Sequence, residues 1–187
     1  MLKAMDAPEL ADDALMARIA HGDRTAFRLL TGRLYGPAIR LATRVLGDRA
    51  EGEDAVQAAL VKLWQGASRF DAQRGSVDGW FRRVVVNACI DRRRSIKPVA
   101  PIEAAADVAS SEATPHEAAE ASDRAARVQA AMARLNPRQR AAIALFHMEG
   151  ASMAEIASAL ETTPKAVEGL LARARAELAA MLAGTKE

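Results

Sequence analysis

Residues 80–90 read WFRRVVVNACI, and three adjacent valines give this stretch the outline of a strand. The spacing points elsewhere. Trp80, Val84 and Ala88 form one series of residues four apart, Phe81, Val85 and Cys89 a second, and the polar Arg83, Asn87 and Asp91 a third. Three separated stripes at this interval lie along a helix, whose side chains share a face every four residues. With this segment helical, nothing else in the chain asks for a sheet.

Upstream, helical periodicity repeats. Leu15, Met16 and Ile19 mark a short helix after the acidic Asp12 and Asp13. Asp23 is placed to cap a second helix, with Phe27, Leu30 and Leu34 at i, i+3 and i+7. Gly36-Pro37 predicts an interruption, with Pro37 to Leu46 as a separate segment carrying Leu41 and Val45 inward. Gly47 ends that segment and Asp48 restarts the chain, giving Val56, Leu60 and Leu63 the next inward face up to Gly66.

Downstream, residues 98–123 (PVAPIEAAADVASSEATPHEAAEASD) hold three prolines, six acidic residues, no Lys or Arg and almost no large apolar side chain. Such a composition buries too little surface to offset ordering, which predicts a flexible acidic linker. The alternative is that Pro115 to Asp123 opens the next helix. Val128, Met132 and Leu135 then mark a helix. Asn136-Pro137 with Gln139 predicts a capped helix carrying Ile143 and Phe146 and ending at Gly150. Ser152 and Glu155 have capping-box spacing, ETT forms a three-residue turn, and Thr163-Pro164 opens a last helix with Val167, Leu171, Ala174 and Leu178 inward. Two short capped helices joined by such a turn make a helix-turn-helix.

The bulk numbers agree with an all-α chain. Half of the 187 residues are apolar but only 4% are aromatic, and abundant alanine favours closely packed small helices. A net charge of +2 does not by itself mark a nucleic-acid binder, so the distribution decides. Arg82, Arg83, Arg92, Arg93, Arg94 and Lys97 crowd one stretch with only Asp91 opposing, as phosphate contacts would require. Cys89 is the one cysteine, which rules out an intrachain disulfide and fits a reducing compartment. No run of about 18 apolar residues is present to cross a bilayer, and MLKAMDAPELADD lacks a signal-peptide core, so a cytoplasmic protein without membrane insertion is expected. His21, His116 and His147 lack ligand spacing, and there is no Gly-rich phosphate loop or nucleophile elbow. No catalytic residue, metal or cofactor is therefore expected, and the chain reads as a binding protein rather than an enzyme.

Both halves resemble one family, the extracytoplasmic-function (ECF) sigma factors of the sigma-70 superfamily. DRTAFRLL, RLATRVLGDRAEGEDAVQAALVKLWQ and RFDAQRGSVDGWFRRVVVNACIDRRRS are similar to sigma region two, and LNPRQRAAIALFHMEGASMAEIASALETTPKAVEGLLARARAEL to region four. The resemblance implies two small helical bundles: residues 8–97, docking on the polymerase clamp and opening the minus-ten element, and residues 124–184, binding the minus-thirty-five element and the flap, joined by the linker 98–123. It implies core RNA polymerase, promoter DNA and an anti-sigma factor as partners, in a stress-responsive alternative sigma factor. A decoy that only binds an anti-sigma factor should lack the basic cluster. An ordinary helix-turn-helix regulator should show a ligand pocket or dimerisation helix instead of Asp54 to Trp64.

Residue by residue, Asp54, Gln57, Val61 and Trp64 lie at i, i+3, i+7 and i+10 on the helix that resembles the polymerase-binding one, where an anchor ringed by hydrogen-bonding groups suits docking. The alternative places Trp64 in the core. Ala58 and Leu60 depart from the acidic residue and Phe common there. In the family, the loop Phe70 to Gly79 shapes a pocket for a flipped base; Phe70 and Asn87 match base-handling positions, and Arg74, Trp80, Arg83, Arg92 and Arg93 complete the expected minus-ten surface. On the last helix, Thr163, Lys165 and Glu168 stand at the end that reads base edges, with Arg173 and Arg175 toward phosphate. Glu168 serves equally as an intrahelical partner. Glu161 fills a turn position where glycine is frequent, and Glu168-Gly169-Leu170 replaces a commoner basic segment.

Overall fold

Local capping sets the helix boundaries of the computed structural model, which describes residues 10–95 and 115–183. Helix α1 (Asp12–Ala20) buries Leu15, Met16 and Ile19. The Asp23 carboxylate accepts from the Thr25 and Ala26 N–H groups and opens α2 (Arg24–Leu46). Those backbone bonds, with the Arg18 guanidinium beside it, hold Asp23 below the usual carboxylate range. Gly47, at φ +78°, ends α2 in the left-handed region. Asp48 then caps α3 (Arg49–Gly66) through the Glu51 N–H. After two short 3-10 turns, α4 (Val77–Ser95) begins a turn earlier than the sequence pattern suggested, with the Ser76 hydroxyl accepting from Gly79 N–H.

The expected break at Gly36-Pro37 does not occur, because α2 runs through Pro37. Proline there removes one N–H aimed at the Arg33 carbonyl, at a cost of about 3 kcal/mol. Leu34, Ala38, Leu41, Ala42 and Val45 form one buried stripe across it. Each fully buried leucine contributes about 1.5–3 kcal/mol, so keeping the stripe continuous outweighs the lost bond.

In the second half, α5 spans Pro115–Arg134, so residues 115–123 begin a helix rather than extend the linker; residues 98–114 and Lys97 lie outside the described residues. The helix marked by Val128, Met132 and Leu135 is α5; Val128 is exposed on it, while Ala131 and Met132, about one turn further on, are buried. Capping boxes at Asn136/Gln139 and Ser152/Glu155 open α6 (Pro137–Ile143) and α7 (Met153–Ala159). Between them Ala144–Met148 forms a π-helical turn. The Thr163 hydroxyl accepts from Ala166 N–H at the start of α8 (Pro164–Ala183).

The two halves are not independent in this arrangement. One apolar core runs from Leu15 and Leu30 through Val85 and Cys89 to Leu145, Ile156 and Leu171. Helix α4 packs on α2 and α3 on one side and on α6 and α7 on the other. Cys89 is fully enclosed, and burial pushes its thiol up to about 12. Iodoacetamide is therefore expected to leave Cys89 unmodified in the folded chain at neutral pH and to alkylate it readily in urea; equal rates in both, read by mass spectrometry, would show the site to be open.

Candidate nucleic-acid interface

Trp80, Arg83 and Asn87 lie at i, i+3 and i+7 along α4, all half-buried. Helical spacing makes this one face. Phe70, at the end of the 3-10 turn Ala67–Arg69, sets its ring edge-on to Trp80, with centroids 6.1 Å apart and planes at 71°. The Trp80 ring also lies over Gly66, where a Cβ would stand 3.4 Å from it. Beyond this aromatic pair, the Asp71 carboxylate accepts from Gln73 N–H and shapes the turn Ala72–Arg74, leaving Arg74 exposed. The structure thus brings Phe70, Trp80, Arg83 and Asn87 together beside a polar loop. Aromatic rings and amide donors side by side are what an unpaired base requires.

The basic end of α4 is less uniform than its sequence. Arg92 hydrogen-bonds to Glu51 and donates to Asp54 at 2.7 Å. Its guanidinium is held above its ordinary value, chiefly by Glu51. Asp54 and Arg92, expected on two separate surfaces, are therefore joined across α3 and α4. Arg93 donates to the Ala133 carbonyl at 2.8 Å, and Arg82 pairs with Asp78. On α3, Asp54, Gln57, Val61 and Trp64 are all exposed. Trp64 stands outside the core with the Phe27 ring edge-on at 5.2 Å.

On α8, Thr163, Lys165, Glu168, Arg173 and Arg175 are all exposed, while Val167, Leu171 and Ala174 face the core. The Arg175 guanidinium sits 5.2 Å from the Phe146 ring centroid. Glu161, in the turn before α8, does adopt the left-handed backbone, at φ +49°.

Sequence reasoning missed the seam between the halves. Arg140 is 1% exposed; its Nε donates to the Arg44 carbonyl at 3.3 Å, at the C-terminal end of α2. Burial, with Arg93 nearby, lowers its guanidinium to about 10. Arg44 itself pairs with Glu149 at 2.5 Å, and the Asn87 amide donates to Glu161 at 3.3 Å. The available signal was that Arg140 stands three residues before Ile143, on an apolar face.

Two helical modules on one chain, one with a basic helix beside an aromatic-lined loop and one a helix-turn-helix, have the build of a bacterial sigma factor. The sigma-70 region 2 family matches residues 30–98, and the sigma-70 region 4 family matches residues 125–178. The ECF RNA polymerase sigma factor SigM of Mycobacterium tuberculosis H37Rv is 38% identical over 178 residues, covering 93% of this chain and 86% of that one. RNA polymerase sigma factor CnrH of Cupriavidus metallidurans is 33% identical over 190 residues, covering 96% and 98%. The structure of CnrH in complex with the cytosolic domain of CnrY superimposes with a TM-score of 0.66 at 30% identity, covering 95% of this chain and 100% of that one. Sigma factor RpoE with the anti-sigma factor NepR from Bartonella quintana shares the fold, with a TM-score of 0.61 at 18% identity over 86% of this chain and 98% of that one. The chain belongs to the ECF family of sigma-70 factors. It is an alternative sigma factor, which directs core RNA polymerase to promoters. Among the described residues, no helix is long and apolar enough to cross a membrane.

Proposed function

We propose that the first module, residues 8–97, docks on the polymerase clamp through Asp54, Gln57, Val61 and Trp64 and captures the unpaired minus-ten strand with Phe70, Arg74, Trp80, Arg83 and Asn87. The second, residues 124–184, reads the minus-thirty-five duplex with Thr163, Lys165 and Glu168, and Arg173 and Arg175 meet phosphate. The observation that carries this reading is the exposed face of α3, where Val61 is 54% and Trp64 36% exposed although both are large and apolar. Surface of that kind marks a partner site. The protein acts by binding, in the cytoplasm, and catalyses nothing itself. Arg92 and Arg93 serve mainly to hold α4 to Glu51, Asp54 and Ala133.

Promoter-dependent run-off transcription with purified core polymerase tests the function. For the docking face, Asp54→Ala with Gln57→Ala is expected to weaken core binding about tenfold, or ~1.4 kcal/mol, at unchanged helicity. Glu51 remains to hold Arg92. Wild-type affinity with normal helicity would remove α3 from the docking surface.

Regulation follows from the same face. The related CnrH was solved with the cytosolic domain of CnrY, and here a helical anti-sigma factor covers the polymerase-facing surfaces of both modules. Binding to a co-encoded protein tests this; a stoichiometric inhibitor that leaves core binding intact contradicts occlusion.

A further inference from the structure

Helix α6 runs on into the π-helical turn Ala144–Met148, where the Glu149 N–H donates five residues back to the Ala144 carbonyl at 3.2 Å. Single π turns of this kind occur mostly at positions that are used. Here two consecutive side chains of the turn, Phe146 and His147, both reach the same side chain of α8. The Arg175 guanidinium sits 5.2 Å from the Phe146 ring centroid, and its Nη2 lies 3.4 Å from His147 Nε2. The two rings stand edge-on to each other, with centroids 4.9 Å apart and planes at 84°. Arginine has donors only, so Nε2 must accept from it, and the imidazole proton is on Nδ1. Phe146 packs half-buried against the core, which fixes its ring, while His147 and Arg175 are exposed. Arg173 is held differently: it lies along its own helix over Gly169, where an added Cβ would stand 3.4 Å from its Nη1.

We propose that Phe146 and His147 are positioning residues for Arg175, holding its guanidinium for the phosphate backbone of the minus-thirty-five duplex. The proposal rests on the reading of Arg175 as a phosphate contact. An exposed arginine loses rotamer freedom when a phosphate pins it, and one already held by two neighbours has less to lose. Neither neighbour is a carboxylate, so the positive charge stays available. Arg82 and Arg92, by contrast, are paired with acidic side chains. The ring takes one face of the guanidinium and the imidazole one N–H, which leaves the other N–H groups for phosphate oxygens.

Binding of the full chain to a fluorescein-labelled, random-sequence duplex of about 20 base pairs tests this, since phosphate contacts carry no sequence information. Arg175→Ala is expected to weaken binding about fivefold and to reduce the salt slope by about one. His147→Ala is expected to weaken it about threefold, the order of one exposed contact to a guanidinium. His147→Gln, whose amide oxygen can accept in place of Nε2, should restore most of that loss. Phe146→Leu keeps the buried bulk but removes the ring, and should also weaken binding about threefold. In an Arg175→Ala background neither His147→Ala nor Phe146→Leu should weaken binding further, whereas in an Arg173→Ala background both losses should persist. Wild-type binding by His147→Ala, a loss from either variant that survives Arg175→Ala, or a loss that His147→Gln does not restore overturns the positioning role. A loss at Arg175 with none at His147 removes the positioning alone. Wild-type affinity and salt dependence in Arg175→Ala remove the phosphate reading and the proposal with it.

Discussion

Gly47→Ala is expected to destabilise the chain by about 3 kcal/mol, where Gly22→Ala costs about 1 kcal/mol. The two glycines share a backbone conformation, φ +78° and +81°, so the strain of adding a Cβ is the same at both. Their surroundings differ. A Cβ on Gly22 meets nothing within 4 Å, whereas one on Gly47 would lie 2.2 Å from Nη2 of Arg140. An arginine side chain ordinarily swings aside, but this one is 1% exposed and has nowhere to go without parting the modules. Displacing it forfeits the bond to the Arg44 carbonyl and the favourable position of a cation at the C-terminal end of α2. Urea unfolding of the single variants and of Gly47→Ala/Arg140→Ala measures the coupling. The double variant should cost at least ~1 kcal/mol less than the sum of the singles, because alanine at 140 removes the clash. If Gly47→Ala proves no worse than Gly22→Ala, Arg140 does not seat beneath α2 in solution.

Asn87→Ala and Lys165→Ala should fail at different steps of initiation. Asn87 lies on the α4 face with Trp80 and Arg83, beside the Phe70–Trp80 pair, a setting suited to an extruded base. Lys165 stands exposed in the first turn of α8, where recognition helices enter the major groove. Lys165→Ala is expected to weaken duplex minus-thirty-five binding by about 1–3 kcal/mol if it contacts a base edge. A phosphate contact would instead lower affinity alike for all sequences and flatten the salt dependence. Asn87→Ala should leave duplex binding intact and slow promoter opening by roughly tenfold, the size of one lost base contact. Permanganate reactivity of the opened strand, beside duplex titrations at two salt concentrations, separates the outcomes. Wild-type opening by Asn87→Ala would move the base-reading site elsewhere.

Helix ends were legible because capping is local. Asp23, Asp48, Asn136, Ser152 and Thr163 each accept from an N–H two or three residues on, and no distant contact is needed to specify them. The inward stripes of α4 and α8 were legible for the same reason. Pro37 misled because its local cost is certain while the stripe that overrides it depends on what α2 packs against. The spacing of Val128, Met132 and Leu135 found α5, but periodicity does not mark how far along a helix its neighbour reaches, and Val128 is exposed. Asp54 and Arg92 were placed on different surfaces because a salt bridge between α3 and α4 leaves no trace in spacing. Arg140 lay furthest beyond reach: its burial is a property of two modules meeting. Among the residues of the proposed DNA surfaces, Phe70 and Asn87 came from family resemblance, the arginines of α4 from their crowding, and Lys165 and Glu168 from the way recognition helices read base edges. The structure adds that four of them, Phe70, Trp80, Arg83 and Asn87, adjoin one another.

The chain has two tryptophans, Trp64 and Trp80, and each stands at a different proposed interface. Trp64 is 36% exposed beside Phe27, and Trp80 is half-buried against Phe70. Indole fluorescence depends on water contact and on stacking, so the molecule carries a built-in optical reporter for each surface. Holding one ring constant by Trp→Phe replacement turns the other into a single-site probe. Desolvation of Trp64 should shift its emission to shorter wavelength on clamp engagement. A nucleobase stacked near Trp80 should quench it instead. The order in which blue shift and quenching develop after mixing would then time polymerase engagement against strand capture without attaching any dye to the chain.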